Sequence, residues 1–132
     1  MRLHRLMTRF AEIRFGALGF GVASYPVLAM LAEHGPMTQK ALTALLKVEQ
    51  SSMAQLLGRL ERDGFIERER DPDDARSSFI ILTAKAKNSL PALSEAINDG
   101  NDLAVKGMTE AEINQMLELF SRMIANMEAN GP

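Results

Sequence analysis

The chain is predicted to be mainly α-helical with a small β-hairpin wing: a winged helix-turn-helix with further helices at both ends. Three observations predict it. An amphipathic stretch from Glu49 to Asp63 closes on Gly64. Two apolar runs, Phe65-Ile66 and Phe79-Ile80-Ile81-Leu82, then flank the charged, proline-stiffened loop Asp71-Pro72-Asp73-Asp74-Ala75-Arg76. Finally, the C-terminal third repeats apolar residues at helical spacing outside that unit. Helix, glycine, strand, basic-tipped loop, strand is the order of a winged helix, whose second helix and wing can enter DNA grooves.

The elements follow in order. Apolar residues at 3, 6, 7, 10, 13 and 17 mark a first helix over about 2–18. Gly16, Gly19 and Gly21 end it, because they leave the backbone too free. Ser24 is expected to cap a second helix, with Pro26 in its first turn and Gly35-Pro36 as its stop. Thr38 caps a short third helix through Leu42, Leu45 and Leu46. In the fourth, Glu49 is the cap and Val48 with Met53 a hydrophobic staple. Met53, Leu56, Leu57 and Leu60 form its buried stripe, which turns Gln50, Ser51, Ala54, Gln55, Gly58, Arg59 and Arg62 outward. After the hairpin, Thr83 caps a helix over about 84–105, in which Pro91 and Gly100 predict a kink or break. Thr109 with Glu112 is a capping box and Met108 with Ile113 its staple; Ile113, Met116, Leu117, Phe120, Met123, Ile124 and Met127 continue the last stripe.

Composition narrows the function. A chain of 132 residues suffices for one core, and 1–132 is read as a single domain. It has no cysteine, which excludes disulfides, thiolate metal sites and thiol redox sensing. The net charge of -2 argues nothing for nucleic acid by itself. Its distribution says more: residues 1–58 sum to +3, residues 59–90 to zero and residues 91–132 to -5. The acidic C-terminal third is therefore expected to face solvent or a partner chain, most simply a second copy covering its apolar stripes. Arg2, His4 and Arg5 ahead of Phe15–Ala23 loosely mimic a signal peptide, but Glu12 and Arg14 interrupt it and no clear cleavage site follows. No apolar run approaches the roughly 20 residues of a membrane span, so a cytoplasmic protein without membrane contact is expected.

No catalytic or cofactor pattern stands out. Asp71-x-Asp73 begins like a calcium loop, yet Arg76 and Leu82 occupy the positions that need glycine and glutamate. Gly19-x-Gly21 lacks the third glycine of a dinucleotide site. The two histidines, His4 and His34, lie in different segments and define no metal site. No serine or threonine has a base at recognisable spacing, so the chain is expected to be no enzyme and to need no cofactor.

The groove-facing residues carry a more specific chemistry. Gln50 and Gln55 can each pair with adenine N6 and N7, Ser51 and Ser52 reach bases or phosphates, and the Ala54 methyl can touch a thymine methyl. Arg59, further along, suits phosphate, which anchors without specifying. At the wing tip Arg76 can enter a narrow, negative minor groove, with Asp74 expected to hold its guanidinium in one rotamer. With Thr38 at the start of the helix-turn-helix, these form the expected DNA-binding set. The same residues also fit a solvated polar helix face and a hairpin with a neutralised tip.

The chain resembles the MarR family of winged-helix transcription regulators over essentially its whole length. The residues that carry the resemblance are Ser24-Tyr25-Pro26-x-Leu28, Gly35-Pro36, Leu56-Leu57-x-Arg59-Leu60-Glu61-Arg62-x-Gly64-Phe65-Ile66 with Arg68, and Asp71-Pro72-x-Asp74-x-Arg76 leading to Leu82-Thr83. The resemblance implies a DNA-binding lobe over 24–82, dimerisation helices in 1–20 and 84–130, and a homodimer on pseudo-palindromic double-stranded DNA. It implies a recognition helix over 49–62 and makes Arg76 the wing arginine, with Asp74 as its partner. It further implies a repressor released by a small anionic or phenolic ligand, in a crevice near Phe10, Arg14, Phe15, Met30 and His34. The first helix is shorter than usual for that family. The competing reading is a winged-helix protein-interaction module without DNA readout, for which the balanced charge of 59–90 is the main argument.

Overall fold

The computed structural model describes all 132 residues, Met1–Pro132. In chain order the elements are α1 (Arg2–Ala17), α2 (Ser24–His34), β1 (Met37–Thr38), α3 (Gln39–Leu46), α4 (Gln50–Arg62), β2 (Ile66–Arg70), β3 (Ser78–Leu82), α5 (Ala84–Ala104) and α6 (Glu110–Asn130). The chain divides into two compact units, Met1–Asn98 and Asp99–Pro132.

In the first unit the core draws on nearly every element. Phe15, Leu28, Leu42, Met53, Leu57, Ile66, Ile80 and Leu93 are all fully buried. Burying one such side chain contributes about 1.5–3 kcal/mol, so this cluster holds the helices against the sheet. Ala86, Leu93 and Ala96 bring the first turns of α5 into the same core. These turns of α5 belong to the Met1–Asn98 unit.

The sheet has three strands, where the sequence predicted two. Its order is β1-β3-β2, with Met37 opposite Ile80 and Ile66 opposite Leu82, all antiparallel. A two-residue strand has no period to read, and only pairing with β3 defines it.

Local capping explains several ends. The Ala41 backbone N–H donates to the Thr38 hydroxyl (3.1 Å) at the start of α3. The Ala86 N–H likewise donates to Thr83 (3.2 Å) at the start of α5. Ser24, in contrast, does not cap α2. The Ser24 N–H closes a turn on the Gly21 carbonyl (3.1 Å), Ala23 occupies the cap position without a side-chain bond, and Ser24 is buried as the first helical residue. Glu49 is at the cap of α4 but makes no side-chain cap bond.

Helix α5 runs unbroken through Pro91 and Gly100. Pro91 and Lys87, whose carbonyl loses its helical donor, are both exposed, so water can satisfy that carbonyl. The expected break falls instead in the Val105–Thr109 connection.

Helix α1 forms where predicted, but it buries a different face. Its buried residues are Ala11 and Phe15, whereas Leu3, Leu6 and Ile13 of the apolar stripe are exposed, Ile13 at 64%. Helix α1 thus carries two apolar faces, of which the unit uses one.

In the second unit, α6 opens with the predicted capping box: Glu112 N–H donates to the Thr109 hydroxyl (3.2 Å) and Thr109 N–H to the Glu112 carboxylate (2.9 Å). The Thr109 backbone N–H, then its hydroxyl, lower the Glu112 pKa below the ordinary value. A folded pKa below the unfolded one stabilises at pH above the normal carboxylate range, and that contribution is lost as pH falls through the lowered value. Thr109→Ala is expected to destabilise the fold by about 1 kcal/mol in urea unfolding. It should also return the Glu112 NMR titration part of the way towards the ordinary value, because the hydroxyl is lost while the backbone N–H at 109, the larger cause, remains; an unmoved midpoint would remove the hydroxyl from the causes.

Candidate nucleic-acid interface

Helices α3 and α4 meet through Lys47, Val48 and Glu49. Lys47 adopts a left-handed conformation (φ 53°, ψ 43°), and the Lys47 and Val48 N–H groups turn back to the Thr43 carbonyl. This closes α3 and directs α4 away from it, the geometry of a helix-turn-helix.

Helix α4 separates its faces as its sequence requires. Met53, Leu56, Leu57 and Leu60 are buried, while Gln50, Ser51, Ser52, Ala54, Gln55, Gly58, Arg59 and Arg62 are exposed. Six outward polar side chains on one rigid helix present donors and acceptors with no internal claim on most of them. Arg62 is the exception, 3.2 Å from Asp63. Arg59 also lines a small cleft of about 150 Å³ with Gly19, Phe20, Ser24, Asp63 and Phe65.

A methyl group at Gly58 would meet no heavy atom within 4 Å. Nothing inside the chain asks for glycine there. Gly58→Ala is therefore expected to stabilise the protein by about 0.5–1 kcal/mol, read from urea unfolding. A loss of stability would contradict the open geometry.

The wing loop is ordered by its own carboxylates. Asp71 accepts from the Asp73 N–H and Asp74 from the Arg76 N–H, both at 2.9 Å. Asp71 N–H donates to the Ser77 carbonyl (3.2 Å) and Ser77 N–H to that of Asp74 (3.1 Å). Asp74 therefore holds Arg76 by its backbone amide, in place of the expected guanidinium contact. The amide lies two residues away at a turn, within reach of a short carboxylate. The Arg76 side chain is exposed and makes no hydrogen bond or ion pair within the chain. Thr38 is half-buried and its hydroxyl is engaged as the α3 cap.

The proposed ligand residues do not form one lining. Phe15 is fully buried core, 5.8 Å from the Tyr25 ring, and offers no surface to a ligand. Arg14 sits 5.8 Å over the Phe10 ring, Met30 packs against the core, and the exposed His34 lies 4.0 Å from Glu33. Of the five, Phe15 lies in the core and Met30 packs against it, while His34 is exposed. Two other clefts follow α2 and α5 and share Ala32 and Leu90. One, about 350 Å³, adds Tyr25, Ala29, Glu33 and Ser94. The other, about 380 Å³, adds Leu31, Gly35, Pro36, Ile81, Leu82 and Lys87.

Residues 22–78 match the model of the MarR family. The transcriptional regulator HosA of Escherichia coli O111:H- is 31% identical over 103 residues, covering 78% of this chain and 73% of HosA. The crystal structure of the transcriptional regulator SlyA superposes with a TM-score of 0.88 at 28% identity, covering 98% of this chain and 91% of that one. A MarR-family regulator from Listeria monocytogenes, solved in complex with a 26-mer DNA, shares the fold with a TM-score of 0.84 at 22% identity, covering 94% and 83% of the two chains.

Proposed function

This chain belongs to the MarR family of transcription regulators, and we propose that it reads double-stranded DNA as a homodimer, with α4 in the major groove and the wing in the adjacent minor groove. The observation that carries this reading is the outward face of α4 together with an unpaired Arg76 at the tip of an ordered loop. Gln50 and Gln55 read bases, Ser51, Ser52 and Ala54 supply shorter contacts, and Arg59 anchors phosphate. Thr38 acts by fixing α3, and Asp74 by fixing the loop that presents Arg76.

The dimer is supported by what each unit leaves uncovered. Helix α6 has no buried residue, and Phe120, Met123, Ile124 and Met127 are between 46% and 68% exposed. The unused stripe of α1 adds Leu3, Leu6 and Ile13. A two-fold copy covers both and presents two α4 helices to a pseudo-palindromic site, with half-sites about 34–36 Å apart.

The regulator acts as a repressor released by a small ligand, in this reading. The clefts along α2 and α5 suit an aromatic or apolar body, and Lys87 at one of them suits a carboxylate.

Selection from a random-duplex pool, followed by fluorescence anisotropy on the enriched and scrambled duplexes at fixed salt, tests the reading. Tight binding lost on scrambling, and weakened by rising salt, is the expected result. Equal weak binding to both would favour the protein-interaction module, which the zero net charge of residues 59–90 allows. If α4 approaches the DNA backbone at Gly58, the stabilising Gly58→Ala also weakens duplex binding.

A further inference from the structure

Three consecutive carbonyls just past the end of α4, those of Asp63, Gly64 and Phe65, accept hydrogen bonds from Thr83, which caps α5, and from Lys85 in its first turn. The Lys85 ammonium donates to the Asp63 carbonyl at 2.7 Å. The Thr83 hydroxyl donates to the Gly64 carbonyl at 2.7 Å, and the Thr83 N–H to the Phe65 carbonyl at 3.1 Å. The Lys85 ammonium also lies 4.4 Å from the centre of the Phe65 ring, which itself stacks on Phe20 at 4.1 Å. Gly64 (φ +81°) passes beneath the lysine, whose side chain lies 3.9 Å from where a Cβ would stand.

The Thr83 contacts continue the β2–β3 ladder and cap α5, so the fold itself accounts for them. Lys85 is different. It is exposed, no carboxylate pairs with it, and removing its charge uncovers only one carbonyl that water can reach. Its ammonium is instead fixed between a helix C-terminus, where the dipole favours a cation, and an aromatic face. Both partners belong to the segment that ends α4 and begins the wing.

We propose that Lys85 is a positioning residue for DNA reading: it ties the last turn of α4 to the first turn of α5, so that the orientation of the recognition helix follows that of α5. The inference rests on the DNA-reading function proposed above. Rigid support of this kind matters because a base contact is lost with a small misplacement of its side chain.

The test compares Lys85→Met, which keeps the hydrocarbon stem, with Lys85→Arg, which keeps the charge, both in the full chain. The probes are the duplex enriched by the unaltered protein and its scrambled counterpart. Lys85→Met is expected to bind the enriched duplex about tenfold more weakly, the size of one base contact, with its scrambled binding and salt slope unchanged. Lys85→Arg should restore most of the loss. A salt slope shallower by about one unit would make Lys85 a phosphate contact and overturn the proposal. Unchanged affinity, or equal losses in both variants, would overturn it too. Hydrogen exchange without DNA separates failure of the clasp from failure of the DNA reading. Amides from Arg59 to Phe65 should exchange faster in Lys85→Met even if no duplex is ever enriched, and unchanged protection there overturns the clasp by itself.

Discussion

Phe120→Glu combined with Ile124→Glu is expected to leave the protein monomeric at micromolar concentration and to weaken duplex binding by about 10²- to 10⁴-fold. The two residues lie one helical turn apart on α6, 46% and 58% exposed, so two carboxylates there face whatever covers that stripe. Burying them without partners opposes association strongly. The loss of DNA affinity has a separate origin. In a dimer, binding of one α4 makes the second encounter intramolecular, and a monomer forfeits that effective concentration. Sedimentation and anisotropy on the same samples read both effects. The Met1–Asn98 unit should keep its core, because none of its buried residues is on α6. A persistent dimer would remove α6 from the interface, and a monomer with undiminished affinity would remove the need for two half-sites.

Arg76→Ala is expected to lower affinity for the selected duplex by about 1–3 kcal/mol, roughly 5- to 150-fold, while leaving thermal stability unchanged. The reasoning is geometric. Four hydrogen bonds order the loop around Arg76, involving the backbone of Asp71, Asp73, Asp74, Arg76 and Ser77, and none uses the guanidinium. The side chain can be deleted without disturbing the turn that presents it. Arg59→Ala should behave differently, weakening enriched and scrambled duplexes alike and flattening the salt slope by about one unit, because a phosphate contact is blind to sequence. Identical signatures for the two arginines would show that the wing anchors without reading. Asp74→Ala should reproduce part of the Arg76→Ala loss by loosening the loop, since it frees the Arg76 amide.

Much of the candidate interface's local structure was legible because its determinants are local. A period of 3.6 residues separates Met53, Leu56, Leu57 and Leu60 from Gln50, Ser51, Ala54 and Gln55, and a helix must obey it wherever it packs. The Thr38 and Thr83 caps and the Thr109–Glu112 box likewise depend on bonds across three residues. The burial of the residues expected to bind a ligand was less legible. Phe15 at a helical position reads the same whether it lines a crevice or fills a core, and the rest of the fold decides which.

The sequence by itself therefore determined the order of the helices, the outward polar face of α4, and the charged loop ending in Arg76. Tertiary structure decided which of the two apolar faces of α1 is buried, and that Phe20 leaves a glycine-rich connection to stack on Phe65. It also made Met37–Thr38 a strand and set Lys85 on the end of α4. The physical reason is sequence separation. Caps and stripes are settled by bonds within one or two turns, whereas these contacts join residues 22 to 45 positions apart and exist only once the chain has closed those loops.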